Sequence, residues 1–230
     1  MDTTGNHHQT FCWRPWPCAG CCGGITPLGF LVGCLGAGTT IQDGIPEEVA
    51  ASQKAALLDW VAKCPHTQEH TVALPKLDEG SEHIVYVDAP VGRVMKVTRP
   101  MTFGESYYLE NSVVCQRNCS PMDYLQRLQH WDFLFTSAPV PLGVTSHGQI
   151  VSEQAYITGN KPRQDAVDEF LTESGLRAVK KNCWLWSGVF DGLEIWVGDA
   201  RDDNFVETPN GIVPIDVRVW SFLHIGHPYA

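Results

Sequence analysis

Short β-rich runs paired across tight-turn residues constrain this chain more than any other feature. Residues 84–87 and 93–98 flank Asp88-Ala89-Pro90-Val91-Gly92, and residues 140–145 and 149–156 flank Ser146-His147-Gly148. The same arrangement recurs around Asp191-Gly192, between 184–187 and 193–197, and around Pro209-Asn210-Gly211, between 204–208 and 212–217. Connections this short join antiparallel neighbours, because a parallel pair needs a crossover of a dozen or more residues. Helical stretches interrupt the hairpins. Residues 46–63 carry Val49, Leu57, Leu58, Trp60 and Val61 on one stripe, with Pro46, Glu47 and Glu48 suited to the positive end and Pro65 as a stop. Ser120-Pro121 opens a second helix to about Phe135, with Tyr124, Leu128, Trp131 and Phe135 along one face, and residues 164–174 form a third, closed by Gly175. The mixture predicts an α+β fold with an antiparallel sheet, not a doubly wound one.

A chain of 230 residues can bury one sizeable core with an extension, and no window offers the roughly 20 clean apolar residues of a membrane span. The expected protein is soluble, with no membrane partner. A formal charge of −10 argues against a broad basic surface for nucleic acid, so no nucleic-acid partner is expected either. Five of the nine cysteines fall within the first 34 residues and the total is odd, which reads as reduced thiols in the cytoplasm and not as a disulfide framework.

Residues 1–44 are rich in Gly, Cys, Thr, Trp and Pro and read as a disordered leader. Leu31-Val32-Gly33-Cys34 looks like a lipoprotein cleavage box but lacks the basic leader and the long apolar stretch, and Cys18-x-x-Cys21-Cys22 lacks a second pair at zinc-ligand spacing. Residues 45–70 then read as a helical extension, and 71–230 as the main domain.

The chemistry concentrates in Gly198-Asp199-Ala200-Arg201-Asp202-Asp203-Asn204-Phe205 and the hairpin that runs on to Ile212-Val213-Pro214-Ile215-Asp216. A carboxylate leaves a strand, an amide follows, and a second carboxylate ends an apolar strand, where an acid is costly to bury without a cation. Phosphoryl transfer from ATP needs such a set: one Asp for the hydroxyl proton, and an amide oxygen with another carboxylate for the metals that bridge the phosphates. The set resembles the catalytic loop and metal-binding Asp of the protein-kinase superfamily. On that resemblance Arg93-Val94-Met95-Lys96-Val97 is the strand whose lysine steadies the phosphates, and Asp123, or Asp132 as second choice, is the helix acid that pairs with Lys96. Gly80-Ser81 stands for the glycine loop, and the backbone near Glu153 to Ala155 meets adenine.

More narrowly, Gly80-Ser81-Glu82-His83-Ile84-Val85-Tyr86, Lys96-Val97-Thr98-x-Pro100, Asp123-Tyr124-Leu125-x-Arg127-Leu128 and Asp199-Ala200-Arg201-x-Asp203-Asn204 are similar to the small kinase domain of bacterial and phage polyvalent proteins, over about residues 77–220. The resemblance implies a truncated kinase-like fold with an antiparallel N-lobe sheet, one main helix and a minimal C-lobe carrying the catalytic hairpin. It also implies an ATP-dependent Ser/Thr/Tyr kinase using Mg2+, with Asp199, Lys96 and Asp123 catalytic, Asn204 and Asp216 on the metal, and a hydroxyl-bearing protein as acceptor.

The sequence departs from the superfamily in three places. Val197-Gly198 replaces His-Arg before Asp199, Val217-Arg218 replaces Phe-Gly after Asp216, and the glycine loop shrinks to two residues. The stretch 217–230 leaves no room for a peptide platform, so another domain supplies it or the acceptor is small. Alternatives therefore stay open: an inactive nucleotide-binding or interaction module, or a small-molecule kinase. Lys96 also reads as a solvated strand lysine, Asp123 as a first-turn helix acid, and Asn204 as a turn residue. Trp131, Trp184, Trp186 and Trp196 read as core aromatics before ligand stackers.

Overall fold

The computed structural model describes residues 47–63, 73–110, 113–179, 184–190 and 192–223. The readings for the cysteine-rich residues 1–44, and for Asp191 and the Trp60 side chain, lie outside the described residues.

The described residues begin with helix α1 (Glu47–Lys63), whose first turn holds Glu47 and Glu48. Leu57, Val61 and Gln53 face inward, whereas Leu58, expected on the same stripe, is 41 % exposed. A five-stranded antiparallel sheet follows, in the order β1 (Lys76–Glu79), β2 (His83–Asp88), β3 (Arg93–Thr98), β7 (Ile150–Ala155) and β6 (Val140–Val144). The turn at Asp88 to Gly92 closes β2 onto β3, with Gly92 at φ +71 accepting the left-handed geometry that the turn demands. Between β3 and β6 the chain forms the hairpin β4 (Glu105–Glu110) and β5 (Val113–Asn118), which nothing in the strand reading anticipated, and helix α2 (Pro121–Leu134).

Helix α2 starts where expected because Ser120 and Asp123 form a capping box: the Ser120 hydroxyl accepts from the Asp123 amide, and the Asp123 carboxylate accepts from the Ser120 amide. Its two halves enter different cores. Tyr124, Leu125 and Leu128 pack with α1, Phe103, Val144 and Ile150 against the first sheet. Trp131 and Phe135 join Val167, Leu171, Ile195, Val197, Phe205, Val217 and Val219.

That second core sits on a four-stranded antiparallel sheet in the order β13 (Arg218–Leu223), β10 (Leu193–Gly198), β9 (Leu185–Phe190) and β8 (Arg177–Ala178), with Val167 and Leu171 coming from helix α3 (Gln164–Glu173). The hairpin β11 (Phe205–Thr208) and β12 (Gly211–Pro214) lies between β10 and β13 in the chain. On the other face of β13, Trp220 stacks on Tyr107 of β4 with ring centroids 4.2 Å apart, and it also meets Trp196. Trp131, Trp186 and Trp196 are buried as expected, and Trp184 is exposed. One helix thus ties two sheets together, and the segments that leave those sheets meet beside it.

Candidate active site

Lys96 lies at the middle of β3, paired between Val85 and Ser152, and its side chain is 7 % exposed. An ammonium taken this far from water needs an oxygen partner. It finds two at once: Nζ donates to the Ile215 carbonyl at 2.5 Å and to Asp216 Oδ1 at 3.1 Å. The same Nζ stands 5.6 Å from the Trp131 ring centre, so an aromatic face of α2 closes the third side.

Asp216 occupies a bend between β12 and β13, and 57 % of its side chain stays open. Surrounding protein raises its pKa by desolvation, and the charge of Lys96, with smaller help from His83 and Arg127, outweighs this and holds it at about 2. It is a carboxylate throughout the physiological range. The bend follows from local hydrogen bonding. The Asn204 carbonyl accepts from both the Ile215 amide at 2.8 Å and the Asp216 amide at 3.3 Å.

Asn204 also reaches the other acid, donating from Nδ2 to the Asp199 carbonyl at 2.7 Å, and it is buried. Asp199 itself has φ +56, left-handed backbone that a non-glycine residue holds only under surrounding constraint. The constraint is visible on each side. Ala200 is fully buried, its amide donates to the Trp184 carbonyl, and Gln164 clamps the loop by donating to the Ala200 carbonyl at 3.0 Å and accepting from the Asp202 amide at 3.0 Å. Arg201 Nε donates to Asp199 Oδ1 at 2.8 Å and lies 3.6 Å from Asp203, which orients the carboxylate. Gln164 is a positioning residue that the spacing of the motifs gave no reason to pick.

Four expected residues therefore converge: Lys96, Asp199, Asn204 and Asp216. The expected pair between Lys96 and Asp123 is not formed. Asp123 is spent on the helix cap and on Arg117 Nη2 at 3.1 Å, because a first-turn carboxylate is drawn to the free amides of its own helix. Asp132, the second choice, is exposed.

Gly80-Ser81 forms the turn between β1 and β2, and it is tied down. The Gly80 amide donates to the His83 carbonyl and its carbonyl accepts from Arg99 at 2.9 Å and 3.2 Å. Glu153 and Ala155 lie on β7, laddered to Met95 and Arg93 of β3, and the Glu153 carboxylate is held by Arg93 Nη1 at 2.5 Å.

Behind Lys96 is a buried polar cluster that no spacing argument found. Arg127 is ion-paired with Glu82 and stacked 5.1 Å from the Tyr124 ring centre, with burial lowering its pKa to about 10. His83 Nε2 lies 3.0 Å from the Tyr124 hydroxyl, which in turn is 3.5 Å from Ser152 Oγ. Burial, with the charges of Lys96 and Arg218 adding to it and Asp216 opposing, lowers the His83 pKa to about 4, so the ring is neutral. Helix α2 is thus docked to the loop at Glu82 through an arginine. The signal was present in Glu82-His83 and Arg127, which belong to the family-like segments, but their partnership spans the fold.

No curated protein and no solved structure matches the chain. A family model described as the serine/threonine/tyrosine kinase found in polyvalent proteins matches residues 50–220, beginning inside α1 and ending in β13. The chain belongs to that kinase family, and its activity class is phosphotransfer.

Proposed function

We propose that the protein transfers the γ-phosphoryl group of ATP to a hydroxyl of a protein acceptor, with Asp199, Asn204, Asp216 and Lys96 as the working residues. The observation that carries this reading is the Lys96 contact with Asp216, made across 120 positions of chain at 3.1 Å while Asn204 joins the Asp216 bend to the Asp199 loop. The donor set suits a magnesium ion. Asp216 is ionised and half open, the Asn204 side-chain oxygen has no partner among the described residues, and those residues hold no cluster of three His, Cys, Asp or Glu that would bind a softer or fully caged metal. Magnesium takes few protein oxygens and completes its shell with phosphate and water. When bound it would supply charge neutralisation on the phosphates.

In this reading Lys96 steadies the phosphate chain from the β3 side. Asp199 accepts the proton of the acceptor hydroxyl as that oxygen bonds to phosphorus and the bond to the departing ADP oxygen breaks. Its left-handed backbone and the Arg201 contact aim it before the acceptor arrives, so little reorganisation is left for the reaction step. Asp123 has a structural role here, as helix cap. The test is phosphate incorporation from labelled ATP into the protein itself or a generic protein acceptor. Asp199→Ala and Asp216→Ala are expected to abolish it and Asp165→Ala, an exposed change at the start of α3, to preserve it; equal signal in all three would refute the assignment.

A further inference from the structure

We infer that Arg218 is a nucleotide-binding residue that grips the terminal phosphate of ATP, supplying the donors that the two-residue Gly80-Ser81 turn lacks. The inference rests on the kinase reading above and extends it to a residue outside the superfamily pattern.

The position of Arg218 follows from strand register. Across the antiparallel ladder Arg218 of β13 pairs with Gly198 of β10, the last rung of that pairing. Asp199 leaves the sheet one residue after Gly198, and Asp216 lies two residues before Arg218. The rung therefore sits where both acid-bearing segments depart. Its electrostatic neighbours include the first of those acids: Asp199 and Glu105 favour its charge, and its charge in turn opposes protonation of His83 and of Arg127.

Its hydrogen-bonding capacity is mostly unused. Nη1 donates to Glu105 Oε2 at 2.5 Å, and among the described residues its remaining N–H donors have no partner. They are not sealed in, since 21 % of the side chain is exposed. The other nearby cations are committed. Arg127 is buried against Glu82, and Lys96 gives two of its three donors to Asp216 and the Ile215 carbonyl, which leaves it a single point contact for phosphate. The short turn that stands for the glycine loop has the Gly80 amide already bonded to the His83 carbonyl, so it cannot turn that donor to phosphate. A guanidinium presents its donors in a planar fork that matches phosphate oxygens. Glu105, 41 % exposed, is a weak partner that a more highly charged polyphosphate can displace. Glu105 thus parks the fork at the rim of the site when no phosphate is there.

The experiment is calorimetric titration of the full chain with ATP and with ADP, each with magnesium, for the wild type, Arg218→Met, Arg218→Lys and Glu105→Gln, alongside phosphotransfer. Loss of a charged hydrogen bond of this kind weakens binding about tenfold to a hundredfold. Arg218→Met is expected to lose that much ATP affinity while ADP affinity stays within about twofold, and Glu105→Gln to bind ATP at least as well as the wild type. Arg218→Lys keeps the charge and the pairing with Glu105 but not the fork, so its ratio of ATP to ADP affinity also falls, and it decides the matter if Arg218→Met does not fold. Equal losses for ATP and ADP, no loss for either, or a loss in Glu105→Gln that equals that of Arg218→Met would overturn the inference and leave Arg218 as a strut for the β4–β5 hairpin. Failure of the kinase reading looks different: the wild type binds neither nucleotide, or Asp216→Ala binds both with unchanged affinity and full phosphotransfer.

Discussion

Acidification should destabilise this protein through His83, a group on the wall behind Lys96. The ring is buried, bonded to the Tyr124 hydroxyl, and under the charges of Lys96 and Arg218, which oppose its protonation, and of Asp216, which favours it; Glu82, 3.4 Å away, is already neutralised by Arg127. Its pKa falls from 6.5 to about 4 on folding. A depressed folded pKa makes the unfolded chain the better proton acceptor, so stability is complete above the unfolded value and declines as pH drops below it, levelling off under the folded value. Between neutral pH and pH ~4.5 the difference of about two units corresponds to about 2–3 kcal/mol from this one ring. Urea unfolding followed by tryptophan fluorescence at both pH values measures it. His83→Gln, which keeps a polar partner for Tyr124, is expected to lose stability at neutral pH yet to show a pH dependence smaller by about 2–3 kcal/mol. His130 is likewise pushed down to about 4 by burial, with Nε2 3.0 Å from Ser221 Oγ, but that background is common to both proteins and cancels in the comparison. An unchanged pH dependence in His83→Gln, or a His83 ring signal titrating near 6.5 in the folded protein, would refute the reasoning.

Two further outcomes test the frame around the site. Glu82 and Arg127 form a pair with side chains 12 % and 5 % exposed, so Glu82→Ala, which strands a buried guanidinium, is expected to cost about 3–5 kcal/mol. The double change Glu82→Ala/Arg127→Met should recover part of that in the same urea assay, and strict additivity would count against the pair. Gly198→Ala places a methyl group 2.7 Å from the Trp220 ring, beside Asp199 in the chain. Overpacking of this kind costs about 1–3 kcal/mol, read as a lower melting temperature with a changed near-ultraviolet tryptophan signal; an unchanged melt would mean that Trp220 moves freely.

The elements that were legible in the sequence are those decided by neighbours in the chain. Asp88 to Gly92 predicts the β2–β3 hairpin because its residues suit a reversal, and Ser120-Pro121 predicts the start of α2 because cap and first-turn preferences act over three residues. The order of Lys96, Asp199, Asn204 and Asp216 along the chain likewise points to one site, and the four residues do meet. The β4–β5 hairpin lacks such a local signature because β4 is held through distant partners, Tyr107 on Trp220 and Glu105 on Arg218. Leu58 misled because a stripe on α1 predicts which side faces inward and not where the covering ends.

Partner choice was the part that the sequence left undecided. Asp123 had the right type and the right helix to pair with Lys96, yet the free amides of its own first turn and Arg117 claimed it. Lys96 took Asp216, and α2 turned Trp131 to the lysine and Arg127 to Glu82. The sequence by itself determined the local elements and the inventory of charged groups, since propensity, capping and turn chemistry act within a few residues. Only the tertiary structure decided which charge faces which, because in a buried site each ionic group settles on the partner that best repays its lost hydration, and that partner can lie more than a hundred residues away.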